Sequence, residues 1–256
     1  MNLVTTMGSK IKTILVSQPR PESERSPYFE VGQKHKLTID FRPFIHIEGV
    51  SEIDFRQERI SILDHSAVIF TSRNAVDHYF RIAKESRQTI PDSMKYFCIS
   101  ESTAYYLQKY VVYRKRKIFH GKQRFADLID VMKKHKKEKF LLPCSDILKK
   151  EIPELLDKAK FSWSKAVLYK TVCSDLSDLD NVTYDMLVFF SPAGIESLLR
   201  NFPEYTQNDT CIAVFGPTTA KAAKDAGLKI DIQAPTQNAP SMTMAIENYI
   251  KAHNKK

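Results

Sequence analysis

Four stretches of this chain set hydroxyl side chains at the start of a helix. In LVFFSPAGIESLL (187–199) an apolar run ends at Ser191, and a helical pattern carrying Ile195, Leu198 and Leu199 begins at once. Pro192 suits the first helical position and Ser191 the N-cap before it. VIFTSRNAVDHYF (68–80) repeats the plan with Thr71, Ser72 and Asn74. KYFCISESTAYYLQKY (95–110) repeats it with Ser100 and Thr103, and TCIAVFGPTTAKAAKDAG (210–227) with Gly216, Pro217, Thr218 and Thr219. Each turn leaves unpaired backbone N–H groups at the positive end of a helix dipole, with hydroxyl donors beside them. That combination attracts anions. Taken singly, each Ser or Thr is better explained as an N-cap worth about 1 kcal/mol of stability. Repetition of the set is what points to a ligand. Gly216 is expected to allow a tight turn or a close backbone approach.

The elements behind these turns alternate strand and helix, and the strands are almost continuously apolar. That pattern predicts parallel sheets covered by helices on both faces, with ligands bound beyond the carboxyl ends of the strands. The turns also come in pairs: 68–80 matches 187–199, and 95–110 matches 210–227. A fainter pair, KTILVSQPRPE (12–22) and KFLLPCSDILKKEIPELL (139–156), completes a duplicated α/β unit. LTIDFRPFIHI (37–47) and AVLYKTVC (166–173) stand outside the repeat and read as extended strands. Paired, they would form a two-stranded β connector. Chain order then predicts two doubly wound, parallel-sheet α/β domains. Residues 48–165 form an inserted domain, and 1–36 join 174–256 in a discontinuous one, because only 1–36 supplies the strand and helix that the C-terminal part lacks.

Bulk properties narrow the class. A chain of 256 residues with 43% hydrophobic and 27% charged content suits one large globular domain or two smaller ones. No run approaches the roughly 20 apolar residues of a membrane span. The segment MNLVTTMGSKIKTILV has no long apolar core before a cleavage site, so it does not read as a signal peptide, and residues 1–9 are expected to be loosely held. Cys98, Cys144, Cys173 and Cys211 are widely spaced and sit in or beside apolar runs, which predicts reduced, structural thiols in a cytoplasmic protein. The seven histidines show no ligand spacing, and no metal site is expected. The net charge of +9 gathers in Arg114–Lys117 and Lys133–Lys139. These clusters fit solvated faces or attraction of an acidic small molecule; no recognition motif accompanies them, and no nucleic-acid partner is expected.

The motifs resemble those of the uroporphyrinogen-III synthase family of tetrapyrrole biosynthesis. Phe70-Thr71-Ser72 followed by Asn74-Ala75-Val76, and Ser100 through Thr103-Ala104, carry the resemblance in the first half. Tyr169-Lys170-Thr171, Phe190-Ser191-Pro192-Ala193-Gly194 and Phe215-Gly216-Pro217-Thr218-Thr219-Ala220 carry it in the second. The match runs from about residue 11 to 250, and its order and duplication are more specific than any single motif. It implies two α/β domains joined by a two-stranded ladder, with substrate in the cleft between them. It also implies that linear hydroxymethylbilane loses its hydroxyl and closes into a ring, inverting its last pyrrole, without cofactor or metal. One departure stands out: the first turn is Ser17-Gln18-Pro19, where many members carry Thr-Arg-Pro. Arg20, one residue past the proline, either replaces the missing arginine or does not.

Under this resemblance the anions awaited by the turns are the eight carboxylates of the substrate. Tyr169 is the expected catalytic residue, since a phenol with an ordinary pKa near 10 stays protonated and can donate to a departing hydroxyl. Packing of an aromatic ring on the ladder explains the same residue without chemistry. Thr71, Ser72, Asn74, Ser100, Thr103, Ser191, Gly216, Pro217, Thr218 and Thr219 are the expected substrate-binding residues. No membrane partner is expected, and the chain is expected to act as a monomer. The alternative from another class is a bilobed, non-catalytic binding protein for an anionic small molecule.

Overall fold

The computed structural model describes residues 10–180 and 182–254; the expectation for residues 1–9 lies outside them. The chain begins with β1 (Thr13–Val16), α1 (Pro27–His35), β2 (Thr38–Phe41), β3 (Ile45–Gly49) and α2 (Glu52–Gln57). Strand–helix pairs follow: β4 (Ala67–Phe70) with α3 (Arg73–Glu85), β5 (Lys95–Cys98) with α4 (Glu101–Tyr106), and β6 (Ile118–His120) with α5 (Phe125–Met132). Next come β7 (Lys139–Ser145), α6 (Glu151–Lys158) and β8 (Ser162–Cys173). The last part holds β9 (Met186–Phe189), α7 (Pro192–Asn201), β10 (Cys211–Phe215), α8 (Pro217–Asp225), β11 (Ile232–Ala234) and α9 (Met242–His253).

The chain divides into two compact units. One runs to His46 and resumes at Val172; the other is Ile47–Thr171. The first contains a five-stranded sheet in the order β11-β10-β9-β1-β2, its neighbours parallel. The second contains the order β3-β8-β7-β4-β5-β6, parallel from β8 to β6.

Apolar runs give such strands because both sheet faces are covered. Successive side chains of a strand point to opposite faces. Ile14 and Val16 of β1 therefore pack with Met242, Ile246 and Ile250 of α9, whereas Leu15 packs with Ile195 and Leu198 of α7 and Ala220 of α8. The second unit repeats the arrangement. Val68 and Phe70 of β4 meet Val76 and Tyr79 of α3, while Ala67 and Ile69 meet Phe125 and Leu128 of α5 and Leu156 of α6. Both sheets are doubly wound.

Residues 37–47 differ from the single connector strand expected of them. Thr38–Phe41 is instead part of the first sheet, paired with β1 in the register Thr13↔Thr38 to Val16↔Phe41. The chain breaks at Arg42-Pro43-Phe44, because Pro43 has no N–H for a ladder and Phe44 turns inward. Phe44 is 1% exposed, lies edge-on to Phe189 at 5.6 Å, and its carbonyl accepts from Ser197 Oγ at 2.5 Å. Only then does β3 begin, beside β8. β8 also starts earlier than residue 166: it pairs with β7 from Lys139↔Ser162 onward, with a bulge at Cys144/Ser145 before Ser145↔Tyr169.

Candidate functional site

In each sheet the strand order reverses once, between β1 and β9 in the first and between β7 and β4 in the second. Helices leave the two strands on opposite faces there, opening a crevice at the strands' carboxyl ends. The hydroxyl turns lie at these ends.

In the first unit Ser191 follows β9 and caps α7, its Oγ accepting from Gly194 N at 3.2 Å. Ser17, at the end of β1, is 9% exposed and donates its N–H to the Val188 carbonyl at 3.0 Å. A Cβ on Gly194 would lie 3.6 Å from Ser191 Oγ and 3.7 Å from Ser17 Oγ, so both hydroxyls flank the first turn of α7. Gly216 precedes α8 with φ 86° and ψ 154°, and its N–H donates to the Ala234 carbonyl at 2.7 Å. Open space surrounds the position of its missing Cβ, so backbone conformation rather than close approach accounts for the glycine. Pro217 and Thr218 are exposed, but Thr219 is 1% exposed and faces inward with Ala220 and Ala223. Gln18 and Arg20 are exposed, and the Arg20 guanidinium lies 5.0 Å over the Phe29 ring.

In the second unit Ser100 caps α4, accepting from Thr103 N at 3.3 Å, and its Oγ also lies 3.1 Å from Thr103 Oγ1. Thr71 is half-buried and Asn74 exposed. Ser72 caps α3, accepting from Ala75 N at 3.1 Å, and its Oγ lies 3.2 Å from the hydroxyl of Tyr169. Thus Tyr169 and Ser72 are brought together, whereas Ser100 and Thr103 bond to each other.

Tyr169 is 7% exposed. Its ring stacks on His78 with centroids 5.0 Å apart and planes 20° from parallel. Its backbone carbonyl accepts from Asp146 N at 3.2 Å, and Asp146 Oδ1 in turn accepts from Thr171 N at 3.1 Å. Burial pushes the Tyr169 phenol above its ordinary pKa, against the bond to Ser72, so the group holds its proton at neutral pH.

Ser17 and Asp146 lie in the fainter pair of repeated stretches without standing out there, and His78 belongs to no hydroxyl turn. For His78 the signal was helical phase: it stands three residues after buried Ala75 and four before buried Ile82, on the edge of the inward stripe of α3. Two cavities of about 500 and 430 Å³ lie elsewhere. The first is lined by Phe44, Tyr184 and Phe202 and the second by Phe80, Tyr96 and Tyr110, and neither includes Tyr169 or an expected binding residue. The described residues contain no group of three His, Cys, Asp or Glu side chains able to hold a metal, and no helix among them is long and apolar enough to cross a membrane. Burial pushes the Cys98 and Cys211 thiols up to about 12 and Cys144 to about 11, which makes them poor nucleophiles.

The fold is that of solved uroporphyrinogen III synthases. The structure from Helicobacter pylori superposes with a TM-score of 0.60 at 16% identity, covering 94% of this chain and 100% of that one. A mutant enzyme from the extremely thermophilic bacterium Thermus thermophilus superposes with a TM-score of 0.54 at 12% identity, covering 96% and 100%. No curated protein matches the chain by sequence. The family model described as uroporphyrinogen-III synthase HemD matches residues 28–244. Because that match spans most of the chain, the protein belongs to the uroporphyrinogen-III synthase family.

Proposed function

We propose that Tyr169 and the hydroxyl turns carry the family's reaction in this chain, acting as a cyclising hydro-lyase. The family activity is closure of hydroxymethylbilane to uroporphyrinogen III, with loss of water and inversion of the last pyrrole ring. The observation that carries the assignment of Tyr169 is the geometry of its phenol, held by the half-buried Ser72 at the carboxyl end of β4. When substrate binds, its terminal hydroxyl takes the place of Ser72 as the phenol's partner. The C–O bond breaks, and the phenol proton leaves with the hydroxyl as water. Ring closure at the pyrrole carbon later releases one proton, which returns to the phenolate.

The remaining task is positional. The activated substrate closes without inversion when free, so the protein must make the inverting attack the nearest one. Helix N-termini behind Ser72, Ser100, Ser191 and Gly216 supply N–H donors, and exposed Asn74 and Thr218 supply side-chain donors, for the substrate's carboxylates. Buried Thr219 acts by holding the first turn of α8 rather than by direct contact. The family match does not favour a non-catalytic binding protein. The reading includes a cytoplasmic monomer, of which four free thiols, three of them buried, support the compartment.

The test supplies purified protein with hydroxymethylbilane and separates the cyclic isomers. Wild type is expected to yield the inverted isomer. Tyr169→Phe is expected to fold with unchanged circular dichroism and to lose on the order of 10²–10⁴ in turnover, the usual contribution of a general acid. Wild-type turnover in that variant removes Tyr169 from the mechanism.

A further inference from the structure

Tyr169 is gripped by one face of α3 to an extent that capping by Ser72 does not explain. His78 and Arg81 stand three residues apart and therefore on the same helix face. Arg81 Nε donates to His78 Nδ1 at 3.1 Å. A guanidinium can only donate, so Nδ1 is the acceptor and the imidazole carries its proton on Nε2. The same guanidinium donates from Nη2 to the carbonyls of Val50 at 2.7 Å and Leu168 at 3.2 Å, and from Nη1 to Glu85 Oε2 at 2.7 Å.

Leu168 immediately precedes Tyr169, and its carbonyl also accepts from Val50 N at 2.9 Å. The peptide entering Tyr169 is thus held by Arg81, the ring by His78, and the hydroxyl by Ser72. Gly49 completes the arrangement: a Cβ there would stand 2.8 Å from the Arg81 guanidinium. Glycine leaves that group room to bridge helix and strand. Burial, and then the charge of Arg81, lower the His78 pKa against Asp77 and Glu85, which keeps the stacking partner neutral.

We propose that His78 and Arg81 are positioning residues for the reaction, with Arg81 fixing the imidazole and the strand while the imidazole fixes the plane of the Tyr169 ring. This rests on the reading of Tyr169 as proton donor. A phenol free to rotate about its side-chain bonds would spend most of its time out of line with the departing hydroxyl, and misplacement by about 1 Å can cost on the order of 10²-fold in rate.

A double-mutant cycle tests the inference with kcat and KM measured separately on the full chain. His78→Ala is expected to lower kcat by about 10-fold or more with KM within about twofold, because it disturbs alignment rather than binding. His78→Phe keeps a flat ring for stacking but loses the acceptor for Arg81, and is expected to restore part of the rate lost in His78→Ala. In a Tyr169→Phe background His78→Ala is expected to have no further effect, since residues acting through one another are not additive. Gly49→Ala leaves His78 and Tyr169 intact but displaces Arg81, and is expected to lower kcat in the same direction. It and His78→Phe carry the test if His78→Ala does not fold.

Wild-type kcat in His78→Ala with an impaired Tyr169→Phe overturns the inference and spares the proton-donor reading. An equal fold-loss from His78→Ala in both backgrounds also overturns it, marking a purely structural contact. A silent Tyr169→Phe overturns the reading of Tyr169, and the inference with it.

Discussion

His65 is a buried imidazole with a defined proton. It is 6% exposed, Nδ1 lies 2.8 Å from the Ser61 carbonyl and so must donate, and Nε2 is buried with no partner among the described residues. Charging the ring would create an N–H without an acceptor, near the cation of Lys139. Burial accordingly lowers its pKa below the ordinary 6.5. The folded form prefers the neutral ring, so the unfolded chain takes up the proton first. This contribution to stability is complete above about pH 6.5 and is lost as pH falls toward the depressed value. Urea-unfolding midpoints are therefore expected to fall as pH drops below about 6.5. His65→Asn keeps a donor for Ser61 but cannot be charged, and should flatten that part of the curve. An unchanged slope in the variant would assign the acid sensitivity to His78 or His135, whose pKa values burial also lowers. Residues whose job is local were legible in the chain: Ser72, Ser100 and Ser191 accept the capping bonds their spacing foretold. Thr219, expected among the binding residues, is buried because its third place in α8 turns it toward the strand, and no local motif reports that. His78 and Arg81 carried no motif, since their meaning comes from β8, about ninety residues later in the chain.

At the scale of elements, α8 depends on how it begins. Gly216 holds φ 86° and ψ 154°, a region that is essentially glycine-only, and it has no side chain to cap the helix. Gly216→Ala fits the open space at the site but not the backbone angles. It is expected to cost about 1–3 kcal/mol of stability, read from urea unfolding, and to lower activity by turning Pro217 and Thr218 away from their present orientation. Stability loss below a few tenths of a kcal/mol would show that the turn can relax. Strand type and helix starts were readable because apolar runs and cap residues report on neighbours within a few positions. The extent of 37–47 was not, since β2 and β3 share one alternating pattern across Pro43. Which sheet a strand joins is set by partners such as β1 and β8, not by its own residues.

At the scale of the whole molecule, the two sheets have one plan. Read from β2, the first runs β2-β1-β9-β10-β11; read from β8, the second runs β8-β7-β4-β5-β6, with β3 added outside. Each half of the chain therefore lends its leading two strands to the sheet built from the other half's last three. The duplication was visible in the turns, but this exchange was not, because the repeat motifs are the same whichever partners they choose. Ile47–Thr171 is continuous and holds β4 to β7, most of β8 and two core clusters. Expressed alone, it is expected to unfold in urea as one cooperative transition. A broad, non-cooperative loss of signal would show that it needs the rest of the chain.

The exchange also sets a timetable for the ribosome. β1 must wait for β9, and the bond between Thr13 and Asp185 closes a span of 172 residues. At elongation rates of about 5–20 residues per second, that is a delay on the order of 10–30 s. Every strand of the inserted unit emerges during this interval, while Ile14, Leu15 and Val16 have only β2 beside them. β1 is thus sealed on its β9 side only after every strand of the inserted unit has been made.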